Sequence, residues 1–288
     1  MTLDLFPFGK EFTGGVNVAV GKLDLNGDGM IDIVASVASG GGPRVVVLDG
    51  KSGVQLQSFF AFEPSFTGGV NVAVGALVPG GEPSIIVAPG AGGGPAVAVF
   101  DAHTGSALRR FFAYDPSFRG GVSVAFGAAL DAPDTEIVAG AGPGGGPHVK
   151  VFSGLTGKMT RSFYAFESTF TGGVNVALGE FGEVLYKTLN IVAAAASGGG
   201  PRVVVLDAMS GAVQRSFFVF SPSFSGGVRV AAFGSTLLVG PALGGTPQIS
   251  IFLNPDGVVS DTIPVFRSSF LGGLTLAEVP TLVSPPIV

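Results

Sequence analysis

The sequence predicts an all-β protein built from repeated four-stranded antiparallel units, and three observations predict it. The first is a motif, Phe-x-Gly-Gly-(Val/Leu)-x-(Val/Leu)-Ala, beginning at Phe12, Phe66, Phe118, Phe170, Phe224 and Phe270, at steps of 54, 52, 52, 54 and 46 residues. The second is Gly-Gly-Gly-Pro followed by apolar residues, with its proline at Pro43, Pro95, Pro147 and Pro201 and an altered Gly-Gly-Thr-Pro copy ending at Pro247. The third is an aromatic run: Phe59-Phe60-Ala61-Phe62, Phe111-Phe112-Ala113-Tyr114, Phe163-Tyr164-Ala165-Phe166 and Phe217-Phe218-Val219-Phe220. The three motifs run in phase, and a fixed period of this length marks units that stack on their neighbours. The repeats are 12–65, 66–117, 118–169, 170–223 and 224–269, with a partial copy at 270–288, within one domain.

Within the first unit four apolar segments stand out: Val16–Gly21, Ile31–Ala38, Arg44–Asp49 and Leu56–Phe62. They are rich in Val, Ile and Phe and bounded by Gly, Pro, Asp or Ser, which is the pattern of short strands. No segment keeps a helical period for three turns. Four antiparallel strands per unit make a β-propeller blade. A blade is covered on both faces by its neighbours, so its strands read as apolar on both sides. The first segment lies nearest the axis and carries small residues there, Gly14-Gly15, Ala19 and Gly21 in the first copy. A solenoid is the competing repeat architecture, with shorter rungs and no closure. The first segment occurs six times and the second and third only five. The chain opens on a piece like the fourth segment, Leu3–Phe8, and closes on one like the first, Gly272–Glu278. The prediction is therefore five full blades plus a reduced sixth built from both termini, which would remove exposed strand edges. A five-bladed ring with a displaced terminal piece is the alternative.

Composition restricts function. The chain has 288 residues, 15 Lys+Arg against 20 Asp+Glu, 12% charged and 47% hydrophobic residues, 48 Gly and no Cys. This excludes a disordered polymer, which needs low hydrophobicity and high charge. Net charge −5 and the lack of a basic cluster argue against nucleic acid as a partner. Without cysteine there is no disulfide, thiolate metal site or cysteine nucleophile. Mean hydropathy is positive, yet no uninterrupted apolar run reaches the roughly 18 residues of a membrane helix. The most apolar region, Val228–Leu243, is broken by Arg229, Gly234, Gly240 and Pro241. Met1–Leu5 lacks a basic signal-peptide start. No membrane insertion is expected, and the chain reads as a mature form or as part of a longer protein.

One loop carries a clear chemical signature: Asp24-Leu25-Asn26-Gly27-Asp28-Gly29-Met30-Ile31-Asp32. Oxygen-bearing side chains at positions one, three, five and nine, with the Met30 carbonyl at seven, wrap oxygens around one point. Ca²⁺ takes six to eight oxygens at about 2.3–2.6 Å, whereas Mg²⁺ prefers fewer carboxylates and more water. Gly29 permits the bend, and Asp32 stands in for the closing glutamate that such loops usually carry. One Ca²⁺ is expected at Asp24, Asn26, Asp28, Met30 and Asp32, in a structural role. The alternative is an Asx-turn hairpin without metal. The corresponding stretches of later units, Leu77–Glu82, Ala129–Glu136, Glu180–Thr188 and Ser235–Thr236, lack the pattern.

The run VAVGKLDLNGDGMIDIVASVASGGGPRVVVLD resembles the FG-GAP/VCBS calcium-binding propeller repeat, related to the integrin α-subunit propeller. It is more similar still to the tandem Gly-Gly-Gly-Pro copies of large bacterial surface and secreted proteins. The resemblance spans nearly the whole chain and implies extracellular, non-catalytic adhesion or ligand binding stabilised by Ca²⁺. The metal motif itself occurs once.

Strand alternation assigns the loops to two faces. The calcium loop and the turns at Ser52-Gly53, Thr104-Gly105, Thr156-Gly157 and Ser210-Gly211 share one; the Gly-Gly-Gly-Pro loops and Pro-Ser-Phe-x-Gly-Gly connections share the other. On the second face the residue after each proline varies: Arg44, Ala96, His148, Arg202, Gln248. Arg44, His148, Arg202 and Gln248 are candidate contacts for a protein or glycan ligand, against the plainer reading of blade-to-blade salt bridges. Asn17, Asn71, Ser123, Asn175, Arg229 and Thr275 share one position of the first segment and are expected to face a central channel. That position holds no carboxylate; Glu278, in the last copy, is the one acid of the six first segments. A propeller glycosidase or lyase needs two carboxylates in a funnel, so the leading reading is a monomeric, non-catalytic module. A polysaccharide-cleaving enzyme and a self-assembling scaffold are the alternatives.

Overall fold

The computed structural model describes residues 4–78, 80–127, 135–182 and 188–277. The first blade holds β1 (Val16–Gly21), β2 (Asp32–Val37), β3 (Arg44–Leu48) and β4 (Gln55–Phe60). The second holds β5 (Val70–Ala76), β6 (Pro83–Pro89), β7 (Ala96–Asp101) and β8 (Ala107–Phe112). The third holds β9 (Val122–Gly127), β10 (Glu136–Ala141), β11 (His148–Ser153) and β12 (Met159–Tyr164). The fourth holds β13 (Val174–Phe181), β14 (Thr188–Ala195), β15 (Arg202–Asp207) and β16 (Val213–Phe218). The fifth holds β17 (Val228–Phe233), β18 (Thr236–Pro241), β19 (Gln248–Leu253) and β20 (Asp261–Pro264). Each sheet is an antiparallel meander in chain order, β1-β2-β3-β4 and its four copies, so the predicted division of loops between two faces holds.

Packing follows from the sequence pattern. The two middle strands of the first four blades are largely buried on both faces, as in Val45, Val46 and Val47 or Ile85, Ile86 and Val87, while β19 of the fifth is only partly covered. Among the described residues four apolar clusters form, each shared by consecutive blades. One joins Val34, Val45 and Val47 to Val70, Ile85 and Phe100, and the others repeat it at the next three junctions. A blade therefore has no core of its own. Each fully buried Val or Ile contributes about 1.5–3 kcal/mol only through its neighbour. The outermost strands β4, β8, β12 and β16 are largely exposed and leave Phe60, Phe112, Tyr164 and Phe218 facing solvent.

The expected reduced sixth blade does not form: the described residues give five sheets of four strands. The physical reason is that a strand needs a ladder partner, and the chain has no sixth copy of the two middle segments. The terminal pieces are placed by other contacts. A Cβ added to Gly53 would stand 2.5 Å from Leu5 of the opening piece. The closing piece lies beside the fifth and first blades, Leu274 N donating to Pro241 O (2.8 Å) and Thr275 Oγ1 to Val16 O (2.6 Å). Residues 278–288, with Glu278, lie outside the described residues. Phe12, Phe66, Phe118, Phe170 and Phe224 are half-buried. Each sits edge-on or tilted against an aromatic four residues earlier, as Phe62 and Phe66 do at 6.5 Å.

The turns between third and fourth strands share one construction. Asp207 Oδ1 accepts from Ser210 N (2.7 Å) and Ser210 Oγ (2.6 Å), and Asp101 Oδ1 accepts likewise from Thr104. The Ser210 hydroxyl at Asp207 and the Thr104 backbone N–H at Asp101 hold these carboxyls below their usual range. The unfolded chain then binds more protons than the native one between the lowered values and 3.8. This stability is complete above that window and is lost as pH falls through it. Asp207→Ala is expected to cost about 1–2 kcal/mol at neutral pH, for two hydrogen bonds, and to flatten the acid limb of stability measured by urea unfolding from about pH 5 to about pH 2.

Candidate functional site

Three places gather polar side chains: the Asp24–Asp32 loop, the face of the Gly-Gly-Gly-Pro loops, and the central channel.

In the loop, Asp24 takes a left-handed conformation (φ 54°), as do Gly27 (74°) and Gly29 (71°), which turns the chain tightly enough to fold side chains inward. Gly29 N donates to Asp24 Oδ1 (2.7 Å), Met30 N to Asp28 Oδ1 (2.9 Å) and Asp28 N to Asn26 Oδ1 (3.3 Å). Asp32 opens β2 opposite Gly21. Its carboxylate is fully buried, and neither oxygen has a hydrogen-bond partner at full distance and angle. Burial pushes the Asp32 carboxyl above the usual range; the backbone of Leu25 and Asp24 opposes this, and the charges of Asp49 and Asp28 add to it. Asp49, which the sequence reading missed, joins from the neighbouring turn, accepting from Asn26 Nδ2 (2.5 Å). Its carboxyl is held down first by the Ser52 hydroxyl.

At the register position of Asp32 the other blades carry groups whose charge is absent or answered. Ser84 faces Gly75, Glu136 faces Gly127 and Asn190 faces Gly179. Glu136 pairs with Arg161, and Asn190 Nδ2 donates to Thr188 O (2.5 Å). Among the described residues Asp32 has no cationic or side-chain partner, only the backbone of Leu25 and Asp24 nearby. By chemistry the donors fit a hard cation: all are oxygens, and the buried Asp32 carboxylate has no side-chain partner among the described residues. In this geometry one oxygen each of Asp24, Asn26 and Asp28 accepts a loop N–H, Met30 is exposed, and no three acidic or imidazole groups among the described residues stand close enough to clasp an ion.

On the second face the structure does not bring Arg44, His148, Arg202 and Gln248 together as one site. Each begins a third strand and pairs with an outer-strand residue of its own blade, Phe60, Tyr164, Phe218 and Pro264 respectively. Arg44 Nε and Arg202 Nε donate to Ser58 and Ser216 hydroxyls (both 2.8 Å), and His148 Nε2 lies 2.7 Å from Ser162 Oγ. Arg202 also crosses the junction, its Nη1 2.8 Å from Glu167 and its guanidinium 5.7 Å from the Phe166 ring centre. His148 packs on Tyr114 in the same way, at 5.7 Å. Arg202 and His148 thus fill a seat against the preceding blade.

Ala96 leaves that seat empty. A cleft of ≈ 340 Å³ opens between the first two blades, lined by Phe62, Glu63, Phe66, Ala96 and Arg110 among others. Glu63, the counterpart of Glu167, has no ion pair among the described residues. Arg110 replaces the serine found at its position in the first, third and fourth blades, and donates to Ala61 O (3.3 Å). The sequence signal was the exception at Ala96, not the basic residues around it.

The channel lies where the shared position of the first segments predicts. Asn17, Asn71, Ser123, Asn175, Arg229 and Thr275 line a cavity of ≈ 70 Å³. They pass hydrogen bonds around the axis. Asn17 Nδ2 donates to Val70 O (2.8 Å), Asn71 Nδ2 to Val122 O (2.7 Å), Asn175 Nδ2 to Val228 O (2.7 Å) and Thr275 Oγ1 to Val16 O (2.6 Å). Val176 N donates to Ser123 Oγ (3.1 Å).

Meander blades and an axial channel define a β-propeller. No family model matches the chain, and no curated protein matches it by sequence. Among solved structures it is similar to the Neurospora crassa Pan2 WD40 domain, at a TM-score of 0.52 and 11% identity over 86% of this chain and 65% of that one. It is likewise similar to U3-55K, at 0.51 and 11% identity over 86% of this chain and 71% of the other. The Dos1 propeller is similar at 0.47 and 15% identity, over 82% of this chain and 56% of that one. The chain thus spans little more than half of the Dos1 propeller and just under two thirds of the Pan2 domain, and the likeness is one of fold. Among the described residues no helix is long and apolar enough to cross a membrane.

Proposed function

We propose that this chain is a non-catalytic propeller module of a surface or secreted bacterial protein, of the FG-GAP/VCBS type. In this reading it binds a protein or glycan ligand on the Gly-Gly-Gly-Pro face, with one Ca²⁺ fixing the first loop. The observation that carries the binding reading is the cleft at Ala96. It pairs an aromatic wall, Phe62 and Phe66, with one acid and one base, Glu63 and Arg110, and its size falls in the range of ligand sites, about 300–1,000 Å³. The calcium reading rests on the Asp24, Asn26, Asp28 and Asp32 spacing and on the unanswered Asp32 carboxylate. The non-catalytic reading is supported by a channel ring of amides, hydroxyls and one guanidinium in place of paired carboxylates.

A glycan and protein array, probed with the labelled chain, tests the reading. Ala96→Arg puts into the cleft the side chain that Arg202 carries in the fourth blade, opposite Glu63 in the place of Glu167 but beside Arg110 where that blade has Ser216. With folding checked by its thermal melt, it is expected to weaken binding of any ligand found by tenfold or more. Ala substitutions at Arg44 and Arg202 should leave binding within about twofold, as expected of exposed polar contacts worth 0–1 kcal/mol. Binding that ignores Ala96→Arg and follows the Ser-Gly and Thr-Gly turns would move the site to the opposite face.

A further inference from the structure

Among the described residues the channel holds a cation with no acidic neighbour. Arg229 occupies the position that is Asn17, Asn71 and Asn175 in other blades, and it points into the axial cavity. Its Nη1 reaches Asn175 Oδ1 at 3.3 Å, and its Nε is shut off from solvent with no partner at all. Burial pulls the guanidinium below its usual range, with no carboxylate acting against that, and none of the described residues lining the cavity is acidic. A guanidinium has five donors, and one long hydrogen bond leaves most of them unspent. An isolated buried charge is costly unless it is paired.

The other ring members show what the cavity lacks. The amides of Asn17, Asn71 and Asn175 and the hydroxyl of Thr275 each donate one hydrogen to a carbonyl of the next segment. They cannot supply negative charge to Arg229. Ser123 Oγ accepts from Val176 N, so its own hydrogen remains for an acceptor inside the cavity. A group that accepts from both Arg229 and Ser123 and carries one negative charge would complete the ring. At ≈ 70 Å³ the cavity suits a small ion with a few waters.

We infer that the axial channel is a binding site for one small inorganic monovalent anion, of halide size, held by the Arg229 guanidinium. The site acts as a structural pin: the anion bridges the fifth blade to the ring of first segments at the point where the chain closes on itself through Thr275 and Val16.

Bromide is the probe, because it scatters anomalously. Crystals grown in bromide are expected to show one anomalous peak on the axis within hydrogen-bonding reach of Arg229. Arg229→Asn, which installs the residue of three other blades, should remove the peak and keep the fold. In solution, replacing gluconate by bromide at constant ionic strength should raise the wild-type melting temperature by about 2–4 °C, with no change in Arg229→Asn. Water alone at that position in wild-type crystals overturns the inference. So does a peak without the Arg229-dependent thermal shift, which marks an adventitious ion only.

Discussion

Gly69→Ala is expected to destabilise the protein by about 3–5 kcal/mol, the sum of backbone strain and a clash that nothing can relieve. Gly69 stands at the entry to β5 with φ +82°, and an added Cβ would lie 1.8 Å from Ala38 O and 2.3 Å from its carbonyl carbon. Both sides of that contact are fixed. Ala38 N donates to Gly15 O (3.0 Å), Gly40 N to Thr67 O (2.9 Å) and Gly90 N to Gly69 O (2.9 Å). Gly121, Gly173, Gly227 and Gly273 meet the backbone of the preceding blade in the same way, at 1.7–2.5 Å. Gly15 is the internal control. It has the same conformation, φ +79°, but its nearest neighbour is the Ala38 side chain at 3.4 Å, because no middle strands precede the first blade. Gly15→Ala should therefore cost only the strain of a left-handed alanine, about 1–2 kcal/mol. The difference between the two variants in urea unfolding, at unchanged m-value, measures how tightly one blade's loop is pressed onto the next. Equal losses would mean that the blade junctions yield.

The contrast between those two glycines also shows what a reader of the sequence can and cannot see. Segment ends were legible because Gly, Pro and Asp bound them: Val16–Gly21 was read without error, and Arg44 was placed correctly at the start of β3. The channel ring was legible because strand phase carries Asn17 and its five counterparts to one side. Blade number was not, since counting copies of the first segment counts inner positions, while a blade also needs partners for its hydrogen-bond ladder. The second face misled for a related reason. Arg44, His148 and Arg202 are prominent as letters, yet each is spent on a serine of its own sheet, and the opening lies where a side chain is missing. Asp49 was passed over because only the fold sets its turn beside Asn26.

Calcium is expected to raise the melting temperature of the wild-type protein by about 5 °C at a hundredfold excess over its dissociation constant, where mass action contributes about 2.7 kcal/mol. The sign of one variant separates this from a turn that merely tolerates its acids. Without metal, Asp32 is a buried carboxylate that burial penalises more than the nearby backbone of Leu25 and Asp24 relieves, beside the charges of Asp49 and Asp28. Removing such a charge while keeping the shape relieves the folded state. Asp32→Asn should thus melt at or above the metal-free wild type at neutral pH, and it should no longer respond to calcium. Asn190 already occupies this register position in the fourth blade, so the substitution uses a residue the architecture accepts. Asp28→Ala should lose the calcium response as well, but without the gain, because Asp28 is exposed in the loop. Magnesium, which gives up its water reluctantly, should produce a smaller shift. If wild type melts alike in calcium and in chelator while Asp32→Asn melts higher than both, the loop holds no ion, and the Asp32 charge is a cost the blade simply bears.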